Sequence, residues 1–264
     1  MIIDFHTHCF PDALAEKAID KLSFVSGGLT PHTDGTVAGL RAAMEKGGVD
    51  LSVVLNIATN AHQQRRVNEF AAAINGQPGL VAFGSVFPDS PDALEELEYI
   101  KAAGLKGVKL HPDYQGFSVD DPRLKPLYRK ISSLGLVTVF HAGLDYGFPP
   151  PYGATPEKLA TALGWFESPV VAAHWGGLNC GEEVLRLLCG RDVYFDTSFG
   201  YSQMPKYYAE KILEKHGVDN MLFGTDTPWH TAAMELRLLS TLGLSDNEMN
   251  AITADNAKKV LGLH

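Results

Sequence analysis

Eight short runs of β-branched and other apolar residues recur along the chain, and most are nearly continuous rather than alternating with polar residues. Strands that are buried on both faces have this pattern. The predicted strands are Ile2–His6, Leu51–Ile57, Leu80–Val86, Leu105–Leu110, Leu136–His141, Pro169–His174, Asp192–Thr197 and Met221–Gly224. We therefore expect all eight strands to lie in the interior of the protein.

Segments with the hydrophobic spacing of helices separate these strands. Asp121 and Pro122 place a capping residue before a first-turn proline, and Gly104, Gly135 and Gly217 follow predicted helices, where a left-handed residue is common. The predicted helices are Ala13–Leu22, Val37–Lys46, Gln63–Asn75, Pro91–Ala103, Pro122–Leu134, Pro156–Phe166, Glu182–Leu188, Pro205–Lys215, Thr231–Leu242 and Ser245–Leu261.

Strands that alternate with helices indicate a parallel sheet. Eight such units in a chain of 264 residues predict an α/β fold of the (β/α)8 type, a TIM barrel, as a single domain over residues 1–264. The alternative is an open, doubly wound sheet. No Gly-x-Gly-x-x-Gly motif opens a helix after the first strand, which argues against that alternative.

Charge and cysteine content limit which classes of partner and which cellular compartment the sequence is compatible with. The net charge of −9 argues against nucleic acid or an anionic membrane surface as a partner and leaves a small-molecule substrate. The three cysteines form no Cys-x-x-Cys motif, and the first residues lack a basic signal-peptide region, so we expect a cytoplasmic protein. No apolar run is long enough to span a membrane. The sequence leaves a homo-oligomer open.

Polar side chains end four of the eight predicted strands. His6 and His8 lie at and just after the end of the first strand, His141 ends the fifth, His174 ends the sixth and Asp226 follows the eighth. Side chains two positions apart on a strand share a face, so His6 and His8 can reach one ion. Barrel active sites lie at the carboxyl ends of the strands.

Three or four imidazoles with one carboxylate suit Zn²⁺, and they also accept Mn²⁺ or Fe²⁺. Water bound to such an ion has a pKa of about 7 and supplies hydroxide at neutral pH. A carboxylate beside that water can accept its proton, and a histidine that is not a ligand can orient it. We therefore predict one divalent metal ion, with Zn²⁺ as the first choice.

The chain resembles the amidohydrolase superfamily in the position and order of these residues. The stretch Gly107–Phe117, the segment Asp120–Pro122 and the segment His141–Gly143 look like its amidohydrolase-related branch. That branch holds metal-dependent hydrolases together with non-oxidative decarboxylases. The resemblance spans all eight strands and implies the barrel and the metal, and it leaves the substrate open.

The resemblance also implies roles for individual residues. His6, His8, His141 and Asp226 look like the ligands of a single metal ion, and His174 looks like the catalytic histidine. Asp226 then combines ligation with proton transfer, so that His174 and Asp226 are the catalytic residues. In relatives with two metal ions, His174 would instead bind the second ion and a carboxylated Lys109 would bridge the pair.

Further candidates for substrate contacts are Lys109, His111 and Trp229. Lys109 and His111 share a strand face, and Trp229 lies in a loop at the same end of the barrel. The alternatives are a salt bridge from Lys109 to Asp113 or Asp196, and a packing role for the loop aromatics. His230 follows Trp229 in the same loop and could line the pocket with it, and His32, His62, His216 and His264 are expected in loops or at the surface.

The predicted reaction is hydrolysis, in which metal-bound hydroxide attacks an amide, ester or lactone of a small molecule. The alternative is non-oxidative decarboxylation of a small unsaturated or aromatic acid. That reaction needs a cation in the pocket, such as Lys109, or Arg41 or Arg65 if their segments fold inward. A barrel that only binds a metal is less consistent, because all five strand-end residues are present.

Overall fold

The computed structural model describes residues 1–263, so His264 lies outside the described residues. Its eight strands correspond one to one with the eight predicted runs, although most are shorter. They are β1 Ile3–Thr7, β2 Leu51–Leu55, β3 Leu80–Phe83, β4 Gly107–Leu110, β5 Val137–Phe140, β6 Val170–Ala172, β7 Tyr194–Asp196 and β8 Met221–Leu222.

Helices connect consecutive strands, as the hydrophobic spacing predicts. They are α1 Asp12–Val25, α2 Val37–Gly47, α3 Gln64–Ile74, α4 Ala93–Ala102, α5 Pro112–Gln115, α6 Lys125–Ser133, α7 Pro156–Ala162, α8 Gly181–Leu187, α9 Gly200–Gln203, α10 Lys206–His216, α11 Ala232–Leu239, α12 Asp246–Asn250 and α13 Asn256–Leu261. A π-helical segment, Ala251–Asp255, joins the last two. The four-residue helices α5 and α9 are absent from the prediction.

All strand pairs are parallel, in the orders β1-β2-β3 and β4-β5-β6-β7-β8. Backbone hydrogen bonds join the two sheets on both sides. Between β3 and β4, the amide of Gly84 donates to Gly107 O at 2.9 Å. Between β8 and β1, the amide of Phe5 donates to Phe223 O at 2.7 Å. These bonds close the sheet, so the fold is the predicted TIM barrel.

Two clusters of buried apolar side chains form the core. The larger one lies mainly between strands and surrounding helices and includes Leu97 and Tyr128. The second gathers residues of both sheets, among them Phe83 and Val139, with Leu261 of α13. The strands are therefore packed on both faces, which explains why they read as continuous apolar runs.

Three features bear on the expectations about individual residues. The three cysteines are free, and Cys9 and Cys180 are buried.

Within residues 1–263, no helix is long and apolar enough to cross a membrane. The expectation for His216 is wrong, because its side chain is buried, stacks on Phe195 at 4.0 Å and forms hydrogen bonds with backbone groups.

Candidate metal centre

The first strand and the loop after the last strand bring His6, His8 and Asp226 into direct contact. The Nε2 atoms of His6 and His8 lie 3.2 Å apart. Asp226 Oδ1 lies 3.3 Å from His6 Nε2 and 2.9 Å from His8 Nε2. Two imidazole nitrogens and one carboxylate oxygen thus converge at the carboxyl end of the barrel.

The backbone holds these three residues in register across the barrel seam. The amide of Asp226 donates to His6 O at 2.8 Å, and the amide of His8 donates to Thr227 O at 2.7 Å. Asp226 has a φ of 63°, a left-handed conformation that costs free energy in a residue other than glycine. His174 has a φ of 58°. Strained backbone of this kind is concentrated at functional sites.

A buried carboxylate at the end of β7 fixes the outer nitrogen of His6. Asp196 Oδ2 lies 2.8 Å from His6 Nδ1, and Asp196 Oδ1 accepts from the backbone amide of His174 at 3.0 Å. The Ser198 hydroxyl contacts Asp196 and lies 2.8 Å from His174 Nδ1. Carboxylates that bind the far side of an imidazole set its tautomer and ring orientation. His6 therefore presents Nε2 toward His8 and Asp226.

The histidines of β5 and β6 lie beside this cluster. His174 Nε2 is 3.1 Å from His141 Nδ1, and the rings of His174 and His6 have centroids 5.1 Å apart. Donor atoms of His6, His174 and Asp226 lie within 4.8 Å of one another. The structure thus brings together the five candidate residues that lie at or just after the ends of the predicted strands.

A second group of donors adjoins the first through His141. The His141 ring stacks on His111 with centroids 4.1 Å apart, and Asp145 Oδ2 lies 3.2 Å from His111 Nε2. His141 Nε2 is buried and forms no hydrogen bond among the described residues, with Asp145 Oδ2 at 3.6 Å. A buried polar atom without a partner is costly and calls for an explanation. A bound cation at the mouth would provide one.

Electrostatics favour metal binding at this mouth. Burial lowers the pKa of His6, lowers that of His174 to about 4, and lowers those of His111 and His141 well below their usual value. These imidazoles are therefore neutral at pH 7 and keep a lone pair for a ligand.

The carboxylate of Asp226 is held in its ionised form, which complements the neutral imidazoles. Burial works to raise the pKa of Asp226, but His6 and His8 outweigh it and hold that pKa well below its usual value. Asp226 is thus ionised at neutral pH. Neutral imidazoles and an ionised carboxylate are the donor forms that a divalent ion requires, so the residues fit a metal centre.

The predicted substrate contacts lie at different depths. Lys109 is buried, its Nζ is 3.4 Å from His6 Nε2, and burial lowers its pKa to about 8. Within residues 1–263 no carboxylate lies within 4.0 Å of this amine, so neither Asp113 nor Asp196 forms the alternative salt bridge. His111 is in the second group of donors. Trp229 is half-buried, and its amide donates to Asp226 O at 2.9 Å.

Neither of the two candidate arginines reaches the centre. Arg41 donates to Pro78 O at 2.6 Å, and Arg65 pairs with Glu96 at 3.0 Å. Lys109 is therefore the cation that the described residues place beside the cluster.

Sequence reasoning missed the partners that orient the histidines. Ser198 follows Asp196 at a spacing of two, as His8 follows His6, and this repeated spacing was an available signal. Asp145 lies in an irregular loop four residues after His141, and no pattern marks it.

Comparisons with known proteins agree with the fold. A family model described as amidohydrolase matches residues 3–263. An uncharacterised TIM-barrel protein from Bordetella bronchiseptica superposes with a TM-score of 0.79 at 21% identity, over 99% of this chain and 98% of that chain. For 5-carboxyvanillate decarboxylase from Sphingomonas paucimobilis, the TM-score is 0.72 at 16% identity, over 100% and 99% of the two chains.

A third structure is that of a protein from Pseudomonas putida assigned as a 2-pyrone-4,6-dicarboxylic acid hydrolase. It gives a TM-score of 0.68 at 17% identity and covers 99% of this chain and 97% of that chain. Among curated proteins, none matches this chain. The structural similarities extend over the whole chain, and at these identities they establish the fold alone.

Proposed function

The chain belongs to the amidohydrolase family, and from that premise we propose that it is a metal-dependent hydrolase of a small molecule bearing an amide, ester or lactone. The observation that carries this proposal is the convergence of His6, His8 and Asp226 within 3.3 Å of one another at the barrel mouth. The members of the family are enzymes, and they include both hydrolases and decarboxylases.

We assign one divalent ion to His6, His8, His141 and Asp226. Support for His141 comes from its buried Nε2, which has no hydrogen-bond partner among residues 1–263 and lies 3.6 Å from Asp145 Oδ2. His174, whose donor atoms lie within 4.8 Å of those of His6 and Asp226, is the alternative ligand. Zn²⁺ is our first assignment, and Mn²⁺ and Fe²⁺ are accepted by the same donors. When bound, such an ion lowers the pKa of water and polarises a carbonyl oxygen.

The protein side chains hold and move the protons. Asp226 is ionised at neutral pH, so its carboxylate can accept a proton from the attacking water. His174 is neutral and buried, and Ser198 Oγ holds its Nδ1 at 2.8 Å. Because the Ser198 hydroxyl donates to Asp196, it accepts the Nδ1 proton of His174, and Nε2 keeps its lone pair beside His141 Nδ1 at 3.1 Å. There it can orient water, accept a proton and return it to the leaving group. Lys109 supplies a positive charge that can bind an oxygen of the substrate.

Decarboxylation of a small unsaturated or aromatic acid is the second candidate. Lys109 favours it, because a buried amine beside the cluster can bind a substrate carboxylate. Two proteins with the same fold are decarboxylases of hydroxylated benzoic acids, 2,6-dihydroxybenzoate and 5-carboxyvanillate. Hydrolysis ranks first because, within residues 1–263, the two candidate arginines Arg41 and Arg65 pair elsewhere and do not accompany Lys109.

The test is an activity panel on chain loaded with Zn²⁺ or Mn²⁺, with amides, esters and lactones in one half and hydroxylated aromatic acids in the other. Mass spectrometry separates the two outcomes, because hydrolysis adds one water to the substrate and decarboxylation removes CO2. We expect metal-dependent addition of water, and we expect Asp226→Asn to abolish it. Release of CO2 with no hydrolysis would replace the first candidate by the second.

A further inference from the structure

A serine, a histidine and a glutamate outside the metal centre form a hydrogen-bonded chain. Ser202 Oγ lies 2.9 Å from His230 Nε2, and His230 Nδ1 lies 2.5 Å from Glu235 Oε1. The three residues come from α9, the loop after β8 and α11. Serine hydrolases use the same order of contacts, with hydroxyl to Nε2 and Nδ1 to carboxylate.

The tautomer of His230 follows from its surroundings. Glu235 is fully buried, and its carboxylate accepts the Nδ1 proton. The other carboxylate oxygen, Oε2, accepts from the amide of Tyr201 at 3.0 Å. His230 Nε2 therefore keeps its lone pair and faces the hydroxyl of Ser202, which is the arrangement that can take a proton from serine.

The surrounding backbone holds this geometry in place. The hydroxyl of Thr227 donates to His230 O at 3.1 Å, and the His230 ring packs against Phe199 with centroids 4.5 Å apart. Phe199 has a φ of 59° and directs the chain into α9. A Cβ at Gly200 would lie 3.0 Å from Glu235 Oε2 and would collide with the Trp175 ring nitrogen. Only glycine permits α9 to approach α11 this closely.

The three residues differ in solvent exposure in the way that a nucleophilic site requires, with the nucleophile accessible and its two partners buried. His230 and Glu235 are buried, with 4% and 0% of their surfaces exposed, whereas Ser202 is exposed. The other serine that contacts a histidine, Ser198, is fully buried and lies against Asp196. Ser202 alone of these two can meet a reagent from solution.

We propose that Ser202, His230 and Glu235 form a second catalytic site, with Ser202 as a nucleophile toward small activated carboxylic esters. Ser202 Oγ bonds to the acyl carbon while its proton passes to His230 Nε2. The bond to the alkoxide then breaks, and the alcohol leaves with that proton. Water, deprotonated by the same nitrogen, releases the acid and restores the hydroxyl. The net reaction consumes one ester and one water and needs no metal.

The test uses an alkyl fluorophosphonate on the full purified chain, with and without a chelator, and locates the adduct by peptide mass spectrometry. The serine displaces fluoride and keeps the phosphonyl group. We expect one adduct, on Ser202, at the same rate in both conditions. Ser202→Ala removes it, and Glu235→Gln slows it by at least about 100-fold because the imidazole loses its orienting carboxylate. A thermal melt checks that each variant is folded.

Ser240→Ala is the matched control, because Ser240 is also exposed and its hydroxyl donates to a backbone carbonyl, Arg237 O, at 2.8 Å. We expect this variant to be labelled like the original chain. Absence of an adduct on Ser202, or an unchanged rate in folded Glu235→Gln, overturns the proposal. Labelling that requires the metal also overturns it and assigns the reaction to the metal centre. None of these outcomes alters the metal assignment.

Discussion

His141 and His174 differ in what their ring nitrogens contact, and from this difference we propose which one is a ligand and which one is a catalytic histidine. Both nitrogens of His174 have partners, Ser198 Oγ at 2.8 Å and His141 Nδ1 at 3.1 Å. His141 has one nitrogen, the buried Nε2, that forms no hydrogen bond with any of residues 1–263. A bound ion needs a free lone pair, and this nitrogen is our reason for proposing His141 as the ligand. Donor atoms of His174 lie within 4.8 Å of those of His6 and Asp226, so His174 is the alternative ligand.

This difference predicts opposite effects of two alanine variants. We expect His141→Ala to lose most of the bound metal, and His174→Ala to keep it while activity falls by about 100-fold or more. Metal content is measured per polypeptide by elemental analysis, and activity on whichever substrate the panel identifies. Loss of metal in His174→Ala with retention in His141→Ala would reverse the two roles.

Ser198 acts on the centre through His174. Its buried hydroxyl contacts Asp196 and His174 Nδ1 and lies 3.2 Å from His6 Nδ1, so it orients these side chains from behind. We expect Ser198→Ala to lower kcat by about tenfold and to leave KM and metal content nearly unchanged, since only orientation is lost. A rise in KM at unchanged kcat would show that Ser198 contributes to binding instead.

At the scale of elements, the start of β4 depends on the absence of a side chain. Gly107 pairs with Val137 on β5, and a Cβ there would overlap the Phe83 ring and the Val137 carbonyl. We expect Gly107→Ala to lower the free energy of unfolding by about 1–3 kcal/mol, the usual cost of overpacking. Denaturant unfolding measures it. Gly164→Ala is the control, because no atom of residues 1–263 lies within 4 Å of a Cβ added there. An equal loss in that variant would refute the packing argument.

The end of α10 carries a pH dependence of stability. Burial lowers the pKa of His216, whose Nδ1 accepts from the Gly190 amide at 3.1 Å and whose Nε2 donates to Val193 O at 2.9 Å. The folded state therefore favours neutral imidazole. The unfolded chain gains protons as pH falls below about 6.5, so this contribution to stability is present above that pH and is lost below it.

We expect the free energy of unfolding to fall between about pH 7.5 and 5.5, and to fall less steeply in His216→Gln, which keeps a donor toward Val193 without the titration. Denaturant unfolding at each pH measures both slopes. The difference between the two slopes reports His216 alone, because the histidines of the metal centre are present in both the original chain and the variant. Equal slopes in the two proteins would contradict the assignment.

At the scale of the whole molecule, the barrel was predictable because its strands are buried on both faces and read as apolar runs. The short helix α9 was not, since four residues carry no hydrophobic period. Strand ends located His6, His8, His141, His174 and Asp226, because parallel strands place their carboxyl ends at one mouth. Which nitrogen each ring presents was not predictable, since that depends on Asp145, Ser198 and Asp196 across the barrel. The prediction for His216 was wrong because a histidine away from the strand ends was expected in a loop or at the surface, and the sequence does not show that its ring is buried against Phe195.

The measurement that tests the central claim most directly is the metal content of the untagged chain, purified without chelator and analysed per polypeptide. The assignment to His6, His8, His141 and Asp226 predicts about one divalent ion per chain, in keeping with a single site of nitrogen and oxygen ligands. Two ions would make His174 a ligand. A chain that binds none, even after reconstitution with Zn²⁺ or Mn²⁺, would contradict the claim that this barrel mouth is a metal centre.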